Sequence, residues 1–223
     1  MYKQIEEESA NPADGAVRRY LPRADREQQI VDRAIELFAQ KGFALTTREL
    51  AEGLQITQPL LYRYFPSKQL LIERVYEQVF MSRINPQWEA WLSDRTRPLR
   101  ERLLVYFEDY TRVILSSVWV RIFLYAGLQD PSFNQRYLDV LDHGVLSVIN
   151  RELRFERGQK GRASAHQLML DTEVMWGFHS SFFYIGVRKW VYQLPVPDDM
   201  GAVIRGRIDA FLDGVLHLPS DRM

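Results

Sequence analysis

The side chains around residue 60 carry amide, guanidinium and hydroxyl groups at helical spacing. On a short helix predicted over residues 58–64, Gln58, Pro59, Tyr62 and Arg63 lie on one side and the apolar residues on the other. Amides and guanidinium groups form paired hydrogen bonds with base edges, apolar atoms contact thymine methyls, and hydroxyls bind phosphates. The outward side of this helix therefore has the chemistry that a DNA groove requires.

Two further helices are needed to position this side. Apolar residues at helical spacing predict a longer helix over 26–41, which ends at Gly42. Thr46 and Glu49 predict a capping box at the start of a second, short helix over 47–54. Two short helices joined by two residues, behind a longer packing helix, are the layout of a helix-turn-helix.

The apolar residues of the two short helices predict the interior of this unit, and a fourth helix follows it. Thr57 precedes the third helix as an N-cap, and Pro59 is tolerated in its first turn. The fourth helix starts after Pro66 and Ser67 and extends to about Ile84. The predicted interior residues are Leu50, Leu54, Ile56, Leu61 and Phe65.

The runs from Thr46 to Ala51 and from Gln58 to Lys68 resemble the signature of the tetracycline-repressor (TetR) family. The resemblance covers about residues 26–75. It implies a homodimeric, all-helical transcriptional regulator, with a helix-turn-helix that binds a palindromic operator and a C-terminal helical domain that binds a ligand and dimerises.

The resemblance also implies which residues contact DNA. Those that match positions near bases are Arg48, Gln58, Pro59 and Tyr62. Those that match phosphate-binding positions are Thr47, Tyr64 and Lys68. Thr57 and Arg63, which lie beside them, complete the set of candidate DNA-binding residues.

Two residues depart from the family pattern. Leu60 stands where relatives often carry a small or hydroxylated residue, so a phosphate contact there is in doubt. Gln55 occupies a turn position that is usually Gly in the family. A residue with a Cβ at this position must either accept a left-handed backbone or change the turn.

The charge along the chain gives weaker support to DNA binding. The formal net charge is +0, yet residues 18–75 contain ten basic and seven acidic side chains. Charge is counted by segment because phosphate attraction depends on the local field. The resulting excess of three positive charges is modest. Residues 1–24 are predicted to be a mobile arm, whose Arg18, Arg19 and Arg23 either contact DNA or belong to a disordered tail.

The amino-acid composition limits which classes of protein remain possible. The 46% hydrophobic content predicts a folded globular protein, and the absence of cysteine excludes disulfides and thiolate chemistry. The glutamate-rich start does not resemble a signal peptide, and the stretch 174–187 is shorter than the roughly 20 residues of a membrane span. We therefore expect a cytoplasmic protein without a membrane partner.

The rest of the chain predicts longer helices separated by Gly and Pro, without the alternation of a strand, so the fold class is all-α. The predicted organisation is an arm over 1–24, a DNA-binding domain over 25–75 and an effector-binding and dimerisation domain over 76–223. The helices predicted in this last domain span 98–116, 118–128, 133–156, 164–192 and 198–216.

The last two helices are candidates for a dimer interface. The stretch 174–187 is apolar on most sides, which occurs when a helix is buried on two faces, and Gly177, Ser180, Ser181 and Gly186 allow close helix approach. The alternative is an ordinary core within one chain. The apolar residues predicted as the surface facing a partner are Val203, Ile204, Ile208, Phe211, Leu212 and Val215.

Dense aromatic residues in the second domain predict a pocket for a small apolar or aromatic effector. Many of these residues must also form the core, and His179 is either a ligand contact or a satisfied core histidine. The candidate ligand-binding residues are Tyr110, Trp119, Phe123, Tyr137, Trp176, His179 and Phe183.

Two other function classes compete with this interpretation. One is a hydrolase that uses His179 with Ser180 or Asp171, although no nucleophile elbow or carboxylate pair accompanies them. The other is a helical interaction protein that does not bind DNA. The remaining histidines lack the spacing of metal ligands. We expect no catalytic residue, no metal and no cofactor.

Overall fold

A computed structural model describes residues 22–159 and 161–216. The described residues form helices and no strand, which confirms the all-α fold class. Arg18 and Arg19 of the predicted arm lie outside the described residues. The first four helices are α1 (Arg23–Lys41), α2 (Thr47–Gly53), α3 (Gln58–Tyr64) and α4 (Lys68–Val79). The later helices are α5 (Trp88–Ser93), α6 (Leu99–Ile114), α7 (Ser117–Gln129), α8 (Pro131–Leu141), α9 (Ser147–Glu156), α10 (Ala165–Trp190) and α11 (Met200–Leu216).

The helix-turn-helix unit forms as predicted, with a longer first helix than expected. α1 begins at Arg23, so the last two residues of the predicted arm belong to it. The Thr46 hydroxyl accepts from the Glu49 backbone N–H at 3.2 Å, and the Glu49 carboxylate accepts from the Thr46 backbone N–H at 2.8 Å. This is the predicted capping box. Gln78 joins α4 to α1 through hydrogen bonds with Gln28 and Asp32.

The fourth helix is shorter than predicted, and a helix after it is missing from the prediction. α4 ends at Val79 rather than near Ile84, and a 3-10 turn, Met81–Arg83, follows. Phe80 turns inward at this point and is fully buried beside the Trp119 ring, 5.1 Å between centroids. The helix therefore ends next to a fully buried aromatic side chain. The short α5 has too few turns to show a helical period in the sequence.

The segment predicted as one helix over 133–156 has three parts. α8 and α9 are joined without a break by a π-helical turn, Asp142–Leu146. The other predicted helices of this domain agree with α6, α7, α10 and α11 to within two residues at each end.

Arg121 of α7 joins the helix-turn-helix unit to the second domain. Its guanidinium donates to the Ala39 carbonyl at 2.6 Å and lies 3.5 Å from the Gln40 carbonyl, at the end of α1. It also lies 3.5 Å from the Trp190 carbonyl, at the end of α10. The last carbonyls of a helix have no partner within the helix, so this one side chain satisfies two helix ends.

The distal part of the second domain holds a buried ion cluster. The Arg102 guanidinium, 2% exposed, donates to Glu152 at 2.9 Å and to Glu156 at 3.0 Å. Arg95 adds a two-bond contact to Glu152, at 2.8 and 3.2 Å. Burial raises the pKa of Glu152, but hydrogen bonds from Arg95, Arg102 and Arg151 outweigh this, so its pKa lies below the usual value.

The turn between α2 and α3 shows which backbone conformation Gln55 adopts. Its φ is +56°, so Gln55 accepts the left-handed conformation. The Ile56 N–H donates to the Ala51 carbonyl and the Gln55 N–H to the Glu52 carbonyl, both at 3.0 Å, which closes the end of α2. A strained residue at this point keeps the turn short.

Gln55→Gly is expected to raise the free energy of unfolding, because left-handed backbone costs a residue with a Cβ about 1–2 kcal/mol and glycine much less. The gain is about 0.5–1 kcal/mol after the greater chain entropy of glycine is subtracted. The change in the free energy of unfolding is measured by urea denaturation. The control is Gln135→Gly within α8, which should lose about 1 kcal/mol. If both variants lose stability, the turn is not strained at Gln55.

Glu152→Gln is expected to lower the free energy of unfolding at neutral pH by about 3–5 kcal/mol, because it removes the buried carboxylate of Arg102 and leaves only the more exposed Glu156 to balance its charge. Glu77→Gln removes an exposed partner of Arg136 and should cost less than about 1 kcal/mol. The folded pKa of Glu152 is lowered, so its stabilisation is present above the ordinary value of 4.5 and is lost as the pH falls through the folded pKa. The difference from wild type should therefore shrink in acid, and a difference independent of pH would contradict this.

Candidate functional site

The interior of the helix-turn-helix positions α3 relative to α2. Leu50, Leu54, Leu61 and Phe65 are buried and Ile56 is half-buried, as their apolar spacing predicted. Burial of these side chains on one side of both short helices leaves the polar side of α3 facing outward.

The outward side of α3 makes hydrogen bonds with the start of α2. The Gln58 amide donates to the Thr47 hydroxyl at 3.1 Å, and the Tyr62 hydroxyl lies 3.3 Å from the same oxygen. Tyr62 is 41% exposed, and Pro59 and Arg63 are exposed beside it. The structure thus brings together four of the residues predicted to approach bases or phosphates.

The start of α3 is capped and open to solvent. The Thr57 hydroxyl accepts from the Leu60 N–H at 3.4 Å, and the next residues, Gln58 and Pro59, form the first turn. Arg48 of α2 lies farther out, in an exposed ion pair of 3.1 Å with Glu52. Exposed pairs of this kind contribute little energy, so the guanidinium is available to a stronger partner.

Lys68 has a structural role that the sequence did not reveal. Its ammonium donates to the Phe43 and Leu45 carbonyls, at 2.5 and 2.6 Å, in the loop before α2. Burial lowers the pKa of Lys68, and the nearby Glu49 carboxylate opposes this. An ammonium has three donors, so one remains for a phosphate.

Two further contacts support the unit and include residues that sequence reasoning missed. Arg33 of α1 donates to the Leu54 carbonyl at 3.1 Å and caps the end of α2. The Arg23 guanidinium lies 5.9 Å from the centre of the half-buried Tyr64 ring. Arg121, described above, was also missed, although it is the one charged residue in α7, and that isolation was a usable signal.

The seven candidate ligand-binding residues lie in two adjoining aromatic groups in the core. In the first group, the Trp119 ring lies 4.8 Å from Phe123 and 5.4 Å from Tyr137, and Phe183 lies 5.4 Å from Phe123. In the second group, the His179 ring lies 4.4 Å from Tyr110 and 6.5 Å from Trp176. Four of the seven are buried and three, Phe123, Trp176 and Phe183, are half-buried.

These aromatic groups carry polar atoms but no formal charge at neutral pH. Burial lowers the pKa of His179 to about 3, so the ring is neutral, and its Nε2 forms a 2.8 Å hydrogen bond with the Tyr106 hydroxyl. Burial also raises the pKa of Tyr106 and Tyr110 well above the ordinary value. His179 is therefore a satisfied core histidine in this structure.

The arrangement does not assemble the hydrolase that the sequence left open. The Ser180 hydroxyl donates to the Gly177 carbonyl at 3.3 Å, and Asp171 pairs with Arg154 at 3.4 Å. Neither residue is hydrogen-bonded to His179. Among the described residues, no group of His, Asp and Glu has the geometry to hold a metal ion.

The surface predicted to face a partner needs correction. Ile204, Ile208, Leu212 and Val215 of α11 are buried, and α11 packs on α6, so these residues belong to the core of one chain. Arg100 holds the two helices together through a two-bond contact with Asp209, at 2.6 and 3.0 Å.

Gly186 likewise packs closely against another helix of the same chain. A Cβ on it would lie 2.7 Å from the Val120 side chain, so this glycine allows α10 to approach α7. The outward side of α10 holds different residues. It exposes Val174 and Tyr184, with Gly177 and Ser180 between them.

No single helix among the described residues is long and apolar enough to cross a membrane. α6 and α7 meet that criterion only as a pair, and the chain bends by 76° between them.

Comparison with known proteins gives the same assignment for the helix-turn-helix. Residues 30–75 match the family described as bacterial regulatory proteins, tetR family. The chain is 32% identical over 85 residues to the tetracycline repressor protein class A from transposon 1721 of Escherichia coli, covering 34% of this chain and 39% of that protein. It is 33% identical over 90 residues to the uncharacterized HTH-type transcriptional regulator YuxN of Bacillus subtilis, covering 38% and 30%. The chain thus spans less than half the length of these relatives.

Solved structures extend the similarity to the whole fold. A TetR-like transcriptional regulator from Rhodococcus sp. RHA1 has a TM-score of 0.62 at 20% identity, covering 87% of this chain and 99% of that one. A putative transcriptional regulator from Pseudomonas aeruginosa PAO1 has a TM-score of 0.62 at 14% identity, covering 88% and 93%. The tetR-family match therefore covers the helix-turn-helix, and over the rest of the described chain the similarity to these regulators is one of fold.

Proposed function

We propose that this protein is a transcriptional repressor that binds a palindromic operator as a homodimer and releases it when a small molecule binds. The observation that carries the proposal is the polar side of α3, where the half-buried Gln58 and the exposed Tyr62 both bond to Thr47. The exposed Arg63 lies beside them. A hydrogen-bonded set of this kind holds its side chains in one orientation, which direct readout of bases requires.

The contacts divide by chemistry into two classes. The Gln58 amide and the Arg48 guanidinium read base edges, with Tyr62 and Pro59 against apolar base atoms. Thr47, Thr57, Arg63, Tyr64 and the free donor of Lys68 hold phosphates on either side. Phosphate contacts fix the position of α3 on the duplex, and the Gln58 and Arg48 side chains determine which base sequence is preferred.

The outward side of α10 supports dimerisation. Tyr184, 52% exposed, and Val174, 37% exposed, are large apolar residues on this side, and Gly177 has open space around it. The small residues Gly206 and Gly214 of α11 are exposed as well. Small residues allow helices of two copies to approach closely, and a two-fold axis there would place two recognition helices on one palindrome.

The neutral aromatic core supports an uncharged, largely apolar effector. Its polar atoms belong to neutral histidine and un-ionised tyrosines, which can hydrogen-bond a ligand but cannot neutralise an ionised one. The Arg121 contact with the α1 and α10 carbonyls offers a route for coupling, since a ligand that displaces α7 or α10 also moves the end of α1.

DNA binding is tested by selecting binding sites from a random duplex library and footprinting the product. The expected result is two symmetric half-sites, because a dimer has two-fold symmetry. Gln58→Ala should relax preference at one base position at a cost of about 1–3 kcal/mol, whereas Lys68→Ala should weaken binding to all sequences and lower the salt dependence.

The matched controls are Gln135→Ala on α8 and Lys189→Ala near the end of α10, which should leave DNA affinity unchanged. Lys68→Ala also removes the donor to the loop carbonyls, so its melting temperature is measured alongside DNA affinity. A failure to select any duplex would favour the helical interaction protein. Unchanged specific binding in both test variants would refute the assigned contacts.

The effector proposal is tested by a thermal-shift screen of uncharged aromatic compounds, followed by titration of the selected operator with each hit. Allosteric coupling of about 1–3 kcal/mol predicts a 5–150-fold loss of operator affinity. Trp176→Ala should reduce this response and leave DNA binding without ligand nearly intact. Trp91→Ala, which removes a half-buried tryptophan outside the candidate set, is the control. Compounds that stabilise the fold without changing operator affinity would argue against the proposal.

A further inference from the structure

A cleft of about 480 Å³ lies between the DNA-binding helices and the second domain. One wall comes from α1 and α4, through Ile35 and Val79, and the other from α6 and α7, through Val113 and Val118. This volume lies within the range of small-molecule sites, about 300–1,000 Å³. A molecule in the cleft would contact both domains and an apolar floor.

The rim of the cleft is cationic. Arg83 and Arg112 line it, and no Asp or Glu is among the described residues that do. The Arg83 guanidinium makes no hydrogen bond or ion pair with any described residue. Arg112 has only a 4.0 Å approach to Asp109, whose other carboxylate oxygen accepts from the Trp88 indole at 2.8 Å. Two guanidinium groups and one partly used carboxylate leave about one positive charge, which favours a monoanion.

A buried donor lies in the inner wall. Trp119 lines the cleft and is 3% exposed, yet its indole N–H has no acceptor within the described structure. Buried donors normally have partners, because an unsatisfied one costs free energy. The cleft therefore combines apolar side chains and two exposed guanidinium groups with a tryptophan whose buried N–H has no partner among the described residues.

We propose that this cleft binds a small amphipathic carboxylate, with its head group between Arg83 and Arg112 and its apolar body against the valine side chains and Trp119. Guanidinium forks match carboxylates geometrically. The cleft shares Trp119 with the uncharged aromatic core but differs from it in its other lining residues and in its charge. It does not depend on the proposed regulatory function, because a ligand can occupy it without DNA.

The test is calorimetric titration of the full chain, without DNA, with octanoate and 4-phenylbutyrate and with their primary amides. The expected result is one saturable site per chain for at least one of the two acids, with its amide bound at least about tenfold more weakly, since a charged hydrogen bond is worth more than a neutral one. Arg83→Gln and Arg112→Gln should each weaken the acid about five- to tenfold. Arg97→Gln, an exposed arginine away from the cleft, is the matched control and should change nothing.

An NMR experiment then shows where in the protein the ligand binds. In a ¹⁵N-labelled sample, the acid should shift one indole N–H resonance, the one absent from Trp119→Phe, and leave the other four tryptophans in place. The proposal is overturned if neither acid binds, if the amides bind equally well, if a protein carrying both Arg83→Gln and Arg112→Gln binds the acids as wild type does, or if the Trp119 resonance does not move. DNA binding is measured separately, so its failure would not be mistaken for failure of this site.

Discussion

The contact between the helix-turn-helix unit and α7 depends on the unpaired carbonyls at the end of α1, which need hydrogen-bond donors. α1 ends against α7, where Arg121 donates to the Ala39 carbonyl and reaches the Gln40 carbonyl. Gly42 then lets the chain pass the Tyr125 ring so closely that a Cβ would lie 3.0 Å from it. Since α1 in turn supports α2 through Arg33 and α4 through Gln78, the position of α3 depends on this contact.

The same guanidinium lies beside the last carbonyl of α10, so the DNA-binding unit is tied to a long helix of the second domain. Arg121 therefore contacts the ends of both helices, in addition to the packing of α1 and α10 on α7. Interfaces of this kind are bistable, because packed helices shift between discrete arrangements. This contact is the physical basis for the proposed coupling between a bound ligand and the orientation of the helix-turn-helix unit.

The second domain separates its charges from its aromatic core. The distal end concentrates arginine and glutamate around the buried Arg102, the centre holds neutral aromatic rings, and the cleft near α1 has an uncommitted cationic rim. Because each environment stabilises a different ligand charge, the regions are chemically distinct although they are close in the chain. The two proposed ligand sites therefore differ in the ligand charge that they accommodate.

The sequence by itself determined the features that depend on neighbouring residues. The capping box at Thr46, the N-cap at Thr57 and the buried Leu61 all follow from side chains within three or four positions, so the helix-turn-helix and its outward residues were predictable. Local hydrogen bonds and helical period are both encoded at that range.

Only the tertiary structure decided the rest. Lys68 binds carbonyls more than twenty residues away, His179 is satisfied by Tyr106, and α11 turns its apolar side to α6. The early end of α4 at Phe80 depends on the rings around it. An apolar or polar pattern states that a side chain needs a partner, but which partner it meets is set by how whole helices pack.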